Sequence, residues 1–131
     1  MIGIDTNVLV RHLTQDDPVQ ASKATELIER RLSRRNPGFI SVPAILETVW
    51  VLDRVYGFAG KEIAQAVERT LAIEYLVVED EQEVFTAMIA LKEGRGSFAD
   101  ALIGALGVRA GCSRTFTFDR SASRLPGFEL L

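Results

Sequence analysis

The first nine residues, MIGIDTNVL (residues 1–9), join a short apolar run to an aspartate and then to the start of a helical pattern. Residues 1–4 predict a β-strand, and Asp5 follows at a position from which a helix beginning near Asn7 or Val8 could be capped. A strand that leads directly into a helix is typical of α/β proteins. This stretch therefore indicates an α/β fold.

The same alternation of strand and helix continues to the last residue. Four further apolar runs predict strands at residues 39–41, 75–78, 115–118 and 128–131. The stretches between them have helical periodicity, and Asp17 followed by Pro18 predicts a helix that ends near Leu32. Asp80 and Glu83 have the spacing of a capping box before another helix. Because no hairpin signal separates the strands, we predict right-handed crossovers and a parallel central sheet in a three-layer α/β/α sandwich.

Length and composition fit a single domain over residues 1–131. Hydrophobic residues make up 47% of the chain and charged residues 25%, with a net charge of −3. Cys112 is the only cysteine, so an intramolecular disulfide is excluded. No signal-peptide pattern and no membrane-length apolar run are found, so we expect a cytoplasmic location.

Four acidic residues lie where apolar runs meet helix starts: Asp5, Glu47, Asp100 and Asp119. In open parallel sheets, ligands bind beyond the carboxyl ends of the strands, where Asp5 and Asp119 are predicted to lie. Two carboxylates about 4 Å apart repel each other by roughly 4 kcal/mol at an effective dielectric near 20. A convergent cluster would therefore need shared protons or a hard cation such as Mg²⁺ or Mn²⁺. The single histidine, His12, and the lone cysteine argue against zinc.

Each of the four acids also has a purely structural interpretation. Asp100 could complete a capping box with Ser97, and Asp5 and Asp119 could cap the helical turns that follow them. Glu47 could belong to an exposed stripe of its helix. Trp50 is interpreted as a core or interface residue rather than as a platform on which a base stacks.

Basic residues supply a possible surface for phosphates. Arg30, Arg31, Arg34 and Arg35 are spaced to lie along one side of a helix, where they form either a solvated helix end or a phosphate-binding rim. Arg120, next to Asp119, is a further candidate for phosphate contact.

Four segments together resemble the PIN-domain nucleases of the VapC toxin type. They are MIGIDTNVL (1–9), VPAILE (42–47), SFADALI (97–103) and TFTFDR (115–120). The resemblance covers the chain from end to end and includes all four acids. It implies a Mg²⁺- or Mn²⁺-dependent endoribonuclease, a frequent homodimer, and an antitoxin protein as partner.

The resemblance and the acidic pattern lead to one hypothesis for the site. Asp5, Asp100 and Asp119 would hold the metal ion, and Glu47 would position or deprotonate the attacking water. Asn7 and Thr117 would hold Asp5 and Asp119 in place.

Three alternatives remain open at this stage. One is a catalytically silent RNA-binding or protein-interaction module on the same fold. A phosphatase of the haloacid dehalogenase type would need a second aspartate where this chain has Asn7. A flap-type DNA nuclease is disfavoured because the short chain has no inserted arch.

Overall fold

The computed structural model describes residues 1–131 as five strands and six helices. The strands are β1 (Ile2–Gly3), β2 (Gly38–Ile40), β3 (Leu76–Val78), β4 (Thr115–Thr117) and β5 (Phe128–Leu130). The helices are α1 (Thr6–Thr14), α2 (Pro18–Thr25), α3 (Val42–Arg54), α4 (Gly60–Leu71), α5 (Glu81–Lys92) and α6 (Phe98–Arg109). A π-helical segment, Glu26–Arg31, continues α2, and a 3-10 turn, Ala122–Arg124, precedes β5.

Every pair of hydrogen-bonded strands is parallel. β2 lies between β1 and β3, with Ile2 opposite Gly38 and Ile40 opposite Val78. β4 pairs with β5 in a second, two-stranded sheet that starts with Thr115 opposite Phe128. The predicted α/β sandwich with a parallel central sheet is confirmed.

The core forms between the strands and the helices that connect them. Its largest fully buried side chains include Leu9 from α1, Ile40 from β2, Ile45 from α3, Met88 from α5 and Leu102 from α6. The amphipathic helices α1, α3 and α4 each bury one apolar face. None of the helices has the length and apolar character needed to cross a membrane.

Local capping explains where several helices begin. The Asp17 carboxylate accepts hydrogen bonds from Val19 and Gln20, and Pro18 occupies the first helical position. This helix continues through its π-helical segment to Leu32, as the sequence predicted. Ser41 caps α3 by accepting a hydrogen bond from the Ala44 amide at 3.3 Å.

One sequence-based interpretation is wrong, and one of the two alternatives for Trp50 is excluded. Asp80 adopts a left-handed conformation at φ 50°, and its side chain makes no capping bond; it pairs instead with Arg109 at the end of α6. Trp50, interpreted as a core or interface residue, is 58% exposed, so it does not belong to the core. Because α3 turns by about 100° per residue, it directs Ile45 and Leu52 inward and Trp50 away from them.

Candidate active site

Asp5 stands between β1 and α1. Its backbone is extended at φ −84° and ψ 160°, and its Oδ1 accepts a hydrogen bond from the Thr6 amide at 2.9 Å. The residue is exposed, and its Oδ2 accepts no hydrogen bond. The predicted capping role is therefore observed, and it leaves one carboxylate oxygen free for a ligand.

Asp119 follows β4, and like Asp5 it uses one carboxylate oxygen for local hydrogen bonds and leaves the other without a partner. Oδ1 accepts hydrogen bonds from the Ser121 hydroxyl and amide, both at 2.8 Å, and from the Ala122 amide at 3.4 Å. These bonds stabilise the ionised form, mainly through the Ser121 side chain, and lower the pKa of Asp119. Thr117 Oγ1 accepts a bond from the Asp119 amide at 3.0 Å, so Thr117 contacts Asp119 as expected. Oδ2 has no partner.

Asp100 lies in the first turn of α6. Its amide donates to Ser97 Oγ at 3.1 Å, which is half of the predicted capping box. The Asp100 carboxylate does not return a bond to Ser97, so both of its oxygens are free of protein partners. The cap therefore involves only the backbone of Asp100, and its carboxylate is available to a ligand.

Glu47 lies in the second turn of α3, is exposed, and makes no side-chain hydrogen bond. It lines an open groove of about 560 Å³ together with Ser97, Phe98 and Ala99. Because Asp100 follows these residues directly, the groove brings Glu47 close to the start of α6. Contact between α3 and α6 fixes this arrangement.

The structure does not bring the four acids together as one metal-binding group. No three His, Cys, Asp or Glu side chains lie close enough to hold an ion. Two features of the topology explain the difference from the expectation. α6 follows another helix rather than a strand, so the rule that places helix starts at the carboxyl edge does not apply to Asp100. β1 and β4 belong to sheets that are hydrogen-bonded separately, so strand pairing does not hold Asp5 beside Asp119.

The chemistry of the four donors nevertheless fits a hard cation. Each of these carboxylates keeps at least one oxygen free, and none lies within 4.0 Å of a Lys or Arg nitrogen. The protein thus supplies no counter-charge of its own at these positions. Free carboxylate oxygens are the ligands that Mg²⁺ and Mn²⁺ prefer.

The other candidate residues have different surroundings. Asn7 makes no hydrogen bond to Asp5; it lines a groove between α1 and α2 instead. Its expected role in holding Asp5 is not supported by a contact. His12 lies in the last turn of α1, half-buried, with an Nδ1 that has no partner, and burial lowers its pKa.

The predicted arginine face is divided between two structures. Arg30 and Arg31 end the π-helical segment, whereas Arg34 and Arg35 lie in the loop before β2. All four are exposed, and Arg30 pairs with Glu26 at 3.4 Å. They do not form one helical row, because the helix ends at Leu32. Arg120 is also exposed.

Sequence reasoning missed one residue that shapes the site. Ser121 donates two hydrogen bonds to Asp119 and is the main cause of its lowered pKa. An aspartate followed two residues later by serine is a common local turn pattern, and this was the available signal.

Comparison with known proteins identifies the family to which this arrangement belongs. A family model described as the PIN domain matches residues 2–127. The match includes all four acids. A search of curated proteins finds no match to the chain.

Proposed function

This chain belongs to the PIN-domain family, whose members are generally nucleases, and from this premise we propose that it is a metal-dependent endoribonuclease. We further propose that it acts as the toxin of a toxin–antitoxin pair, as its likeness to the VapC type implies. The substrate is RNA, and the reaction is hydrolysis of a phosphodiester bond.

One observation carries this proposal. Asp5 and Asp119 each use a single oxygen to complete a turn and keep the other free, and neither forms a salt bridge with a Lys or Arg side chain. An ionised carboxylate oxygen without a protein partner is available to a hard cation. Local hydrogen bonds limit the rotation of both side chains, so their free oxygens are partly preorganised for a ligand.

The roles of the acids follow from these contacts. Asp5 and Asp100, with Asp119 directly or through water, would hold Mg²⁺ or Mn²⁺. When bound, such an ion activates water and offsets the negative charge that develops on the phosphate. Glu47 is exposed and has no competing hydrogen bond, so it is free to accept the proton of the attacking water. Thr117 and Ser121 hold the loop that carries Asp119.

Protein partners are the second part of the proposal. Trp50 on α3 and Val55, the residue that follows this helix, are 58% and 68% exposed. Large apolar side chains that remain in water favour association with another protein surface. These residues support a homodimer and an antitoxin that covers part of the toxin.

The carboxylates can be tested by replacing one of them with its amide. We expect Asp5→Asn to reduce RNA cleavage at least 100-fold, because the neutral amide is a poor ligand for a hard cation. Glu74→Gln is the matched control, since Glu74 is exposed, lies just before β3 and forms no salt bridge. Cleavage rates of a labelled RNA and circular dichroism spectra would be measured for both. Full activity in a folded Asp5→Asn protein contradicts the assignment.

A second function is favoured by the separation of the acids. A catalytically silent RNA-binding or protein-interaction module would need no assembled group of three metal ligands, and none is assembled here. Such a module would bind RNA without cleaving it, whatever divalent ion is added. The two functions therefore differ in the product of a single assay.

A further inference from the structure

A groove of about 380 Å³ runs between α1 and α2. Its polar lining consists of Asn7, Arg11, Gln20, Lys23 and Arg31, above a floor of small and aliphatic side chains. We call it the α1–α2 groove. No acidic side chain lines it, although the chain as a whole has a net charge of −3.

Two of the three cations in the groove have no anionic partner. Arg11 is neutralised by Asp16 at 3.0 Å. Lys23 and Arg31 are exposed and form no salt bridge. They supply an uncompensated positive charge on a surface that is otherwise acidic on balance, which favours an anionic ligand.

The direction of the groove follows from the packing of its two helices. A three-residue turn joins α1 to α2, and Arg11 Nε donates to Gln20 Oε1 at 2.8 Å near that turn. The helices therefore run antiparallel, which places Asn7 and Arg31 at the other end of the groove. Asn7 lies two residues from Asp5. The end of the groove away from the turn is therefore the end nearer to Asp5.

We infer that the α1–α2 groove binds the phosphate backbone of single-stranded RNA and leads it to the acidic site. This inference rests on the proposed function. A site made of carboxylates repels a polyanion, so the substrate needs a separate source of attraction close to it. Gln20 and Arg31 are eleven residues apart, about 16 Å along a helix, which is long enough to follow a strand rather than to bind a single phosphate.

Lys23 and Arg31 are assigned to phosphate contact, and their contribution can be measured by the salt dependence of binding. For single strands, log K falls with log salt by about 0.7 for each phosphate neutralised, so losing two contacts lowers the slope by about 1.4. Between 50 and 200 mM salt, the affinity of the parent protein should then fall about sevenfold more than that of Lys23→Gln/Arg31→Gln.

Binding of a labelled oligouridylate would be followed by fluorescence anisotropy in the full chain. All proteins would carry Asp100→Asn to prevent cleavage. Lys61→Gln/Arg69→Gln is the control. Both residues are exposed on α4 and form no salt bridge, and their substitution removes the same charge as that of Lys23 and Arg31. We expect this control to keep the parent slope.

Three outcomes would overturn the inference. One is a groove variant whose slope equals that of the parent protein. Another is a slope that decreases by the same amount in the groove variant and in the α4 control, which would indicate an effect of net charge alone. The third is binding of polyglutamate, but not of RNA, through Lys23 and Arg31, which would assign the groove to an acidic protein. None of these results depends on catalysis. If the groove variant keeps the parent slope and the protein without Asp100→Asn cleaves RNA, the groove inference is refuted and the proposed function stands.

Discussion

At the scale of single residues, Asp119 shows how one side chain serves both the fold and a ligand. Its Oδ1 receives three hydrogen bonds from the turn that follows β4, while its Oδ2 remains free. The same bonds lower the pKa of the carboxyl, so the group stays ionised at a more acidic pH than an ordinary aspartate. An ionised oxygen is the form that a cation requires.

This reasoning predicts the effect of Ser121→Ala. Loss of the hydroxyl should raise the pKa of Asp119 towards its ordinary value of 3.8, because the largest cause of the shift is removed. Since the pKa is lowered in the folded state, the carboxylate stabilises the fold above its unfolded pKa, and this contribution is lost as the pH falls through the folded value. Carboxyl ¹³C NMR would follow the titration.

The acidic limb of the pH–rate profile for RNA cleavage should move to higher pH in the same variant. Ser123→Ala is a suitable control, because the Ser123 hydroxyl donates to Arg120 O and does not contact Asp119. An unchanged pKa of Asp119 in Ser121→Ala would show that the backbone amides alone determine it.

Several residue-level features were readable from the sequence, and others were not. Asp5, Ser97 and Asp17 were identifiable as caps because capping depends on neighbours within three residues. The absence of a bond between Asn7 and Asp5 depends on side-chain direction at the start of α1, which spacing along the chain does not specify.

At the scale of elements, α6, the helix that carries Asp100, approaches β5 closely at Gly104. Gly104 lies one turn after Asp100 on α6, and a Cβ built there would lie 2.5 Å from the Phe128 ring. The absence of a side chain therefore allows helix and strand to approach closely. Any group added at this position must move α6 or the ring.

Gly104→Ala should lower the free energy of unfolding by about 1–2 kcal/mol. Overpacking costs about 1–3 kcal/mol, and the better helix propensity of alanine offsets up to about 1 kcal/mol. Gly60→Ala is the control, since its Cβ would make only an ordinary contact of 3.4 Å with Leu91. Urea unfolding would compare the two variants; equal stability of both would contradict the close approach of α6 and β5.

The elements themselves were largely predictable. Apolar runs and capping residues gave all five strands and the extent of the helix after Asp17, because these signals are local. The sequence left Trp50 open between a core and an interface position, since an apolar side chain on a helix can face a core or a partner. The role of Asp80 was missed because its partner, Arg109, lies 29 residues away.

At the scale of the whole molecule, the structure does not gather the four acids into the one metal-binding group that the sequence pattern predicts. The four acids come from separate elements, and their meeting depends on how β1, α3, α6 and β4 pack rather than on any one segment. The sequence identified the four acids but did not specify the distances between them. The family match over residues 2–127 spans all four positions.

Binding of an ion should stabilise the folded chain. At a Mn²⁺ concentration 100 times its Kd, binding adds about 2.7 kcal/mol, which corresponds to a rise in Tm of about 8 °C for a domain of this size. Asp5→Asn should lose most of the rise, and Glu74→Gln should keep it. Differential scanning calorimetry with Mn²⁺ and with EDTA would measure both. A rise that is equal in all three proteins would place ion binding elsewhere.

The most direct test of the central claim is cleavage of total cellular RNA by the purified protein, with mapping of the product ends. With Mg²⁺ or Mn²⁺ we expect discrete fragments, and we expect them to disappear with EDTA and with Asp100→Asn. Circular dichroism would establish that the protein is folded, and mass spectrometry that it is free of antitoxin. Intact RNA under these conditions would contradict the nuclease and favour the silent binding module.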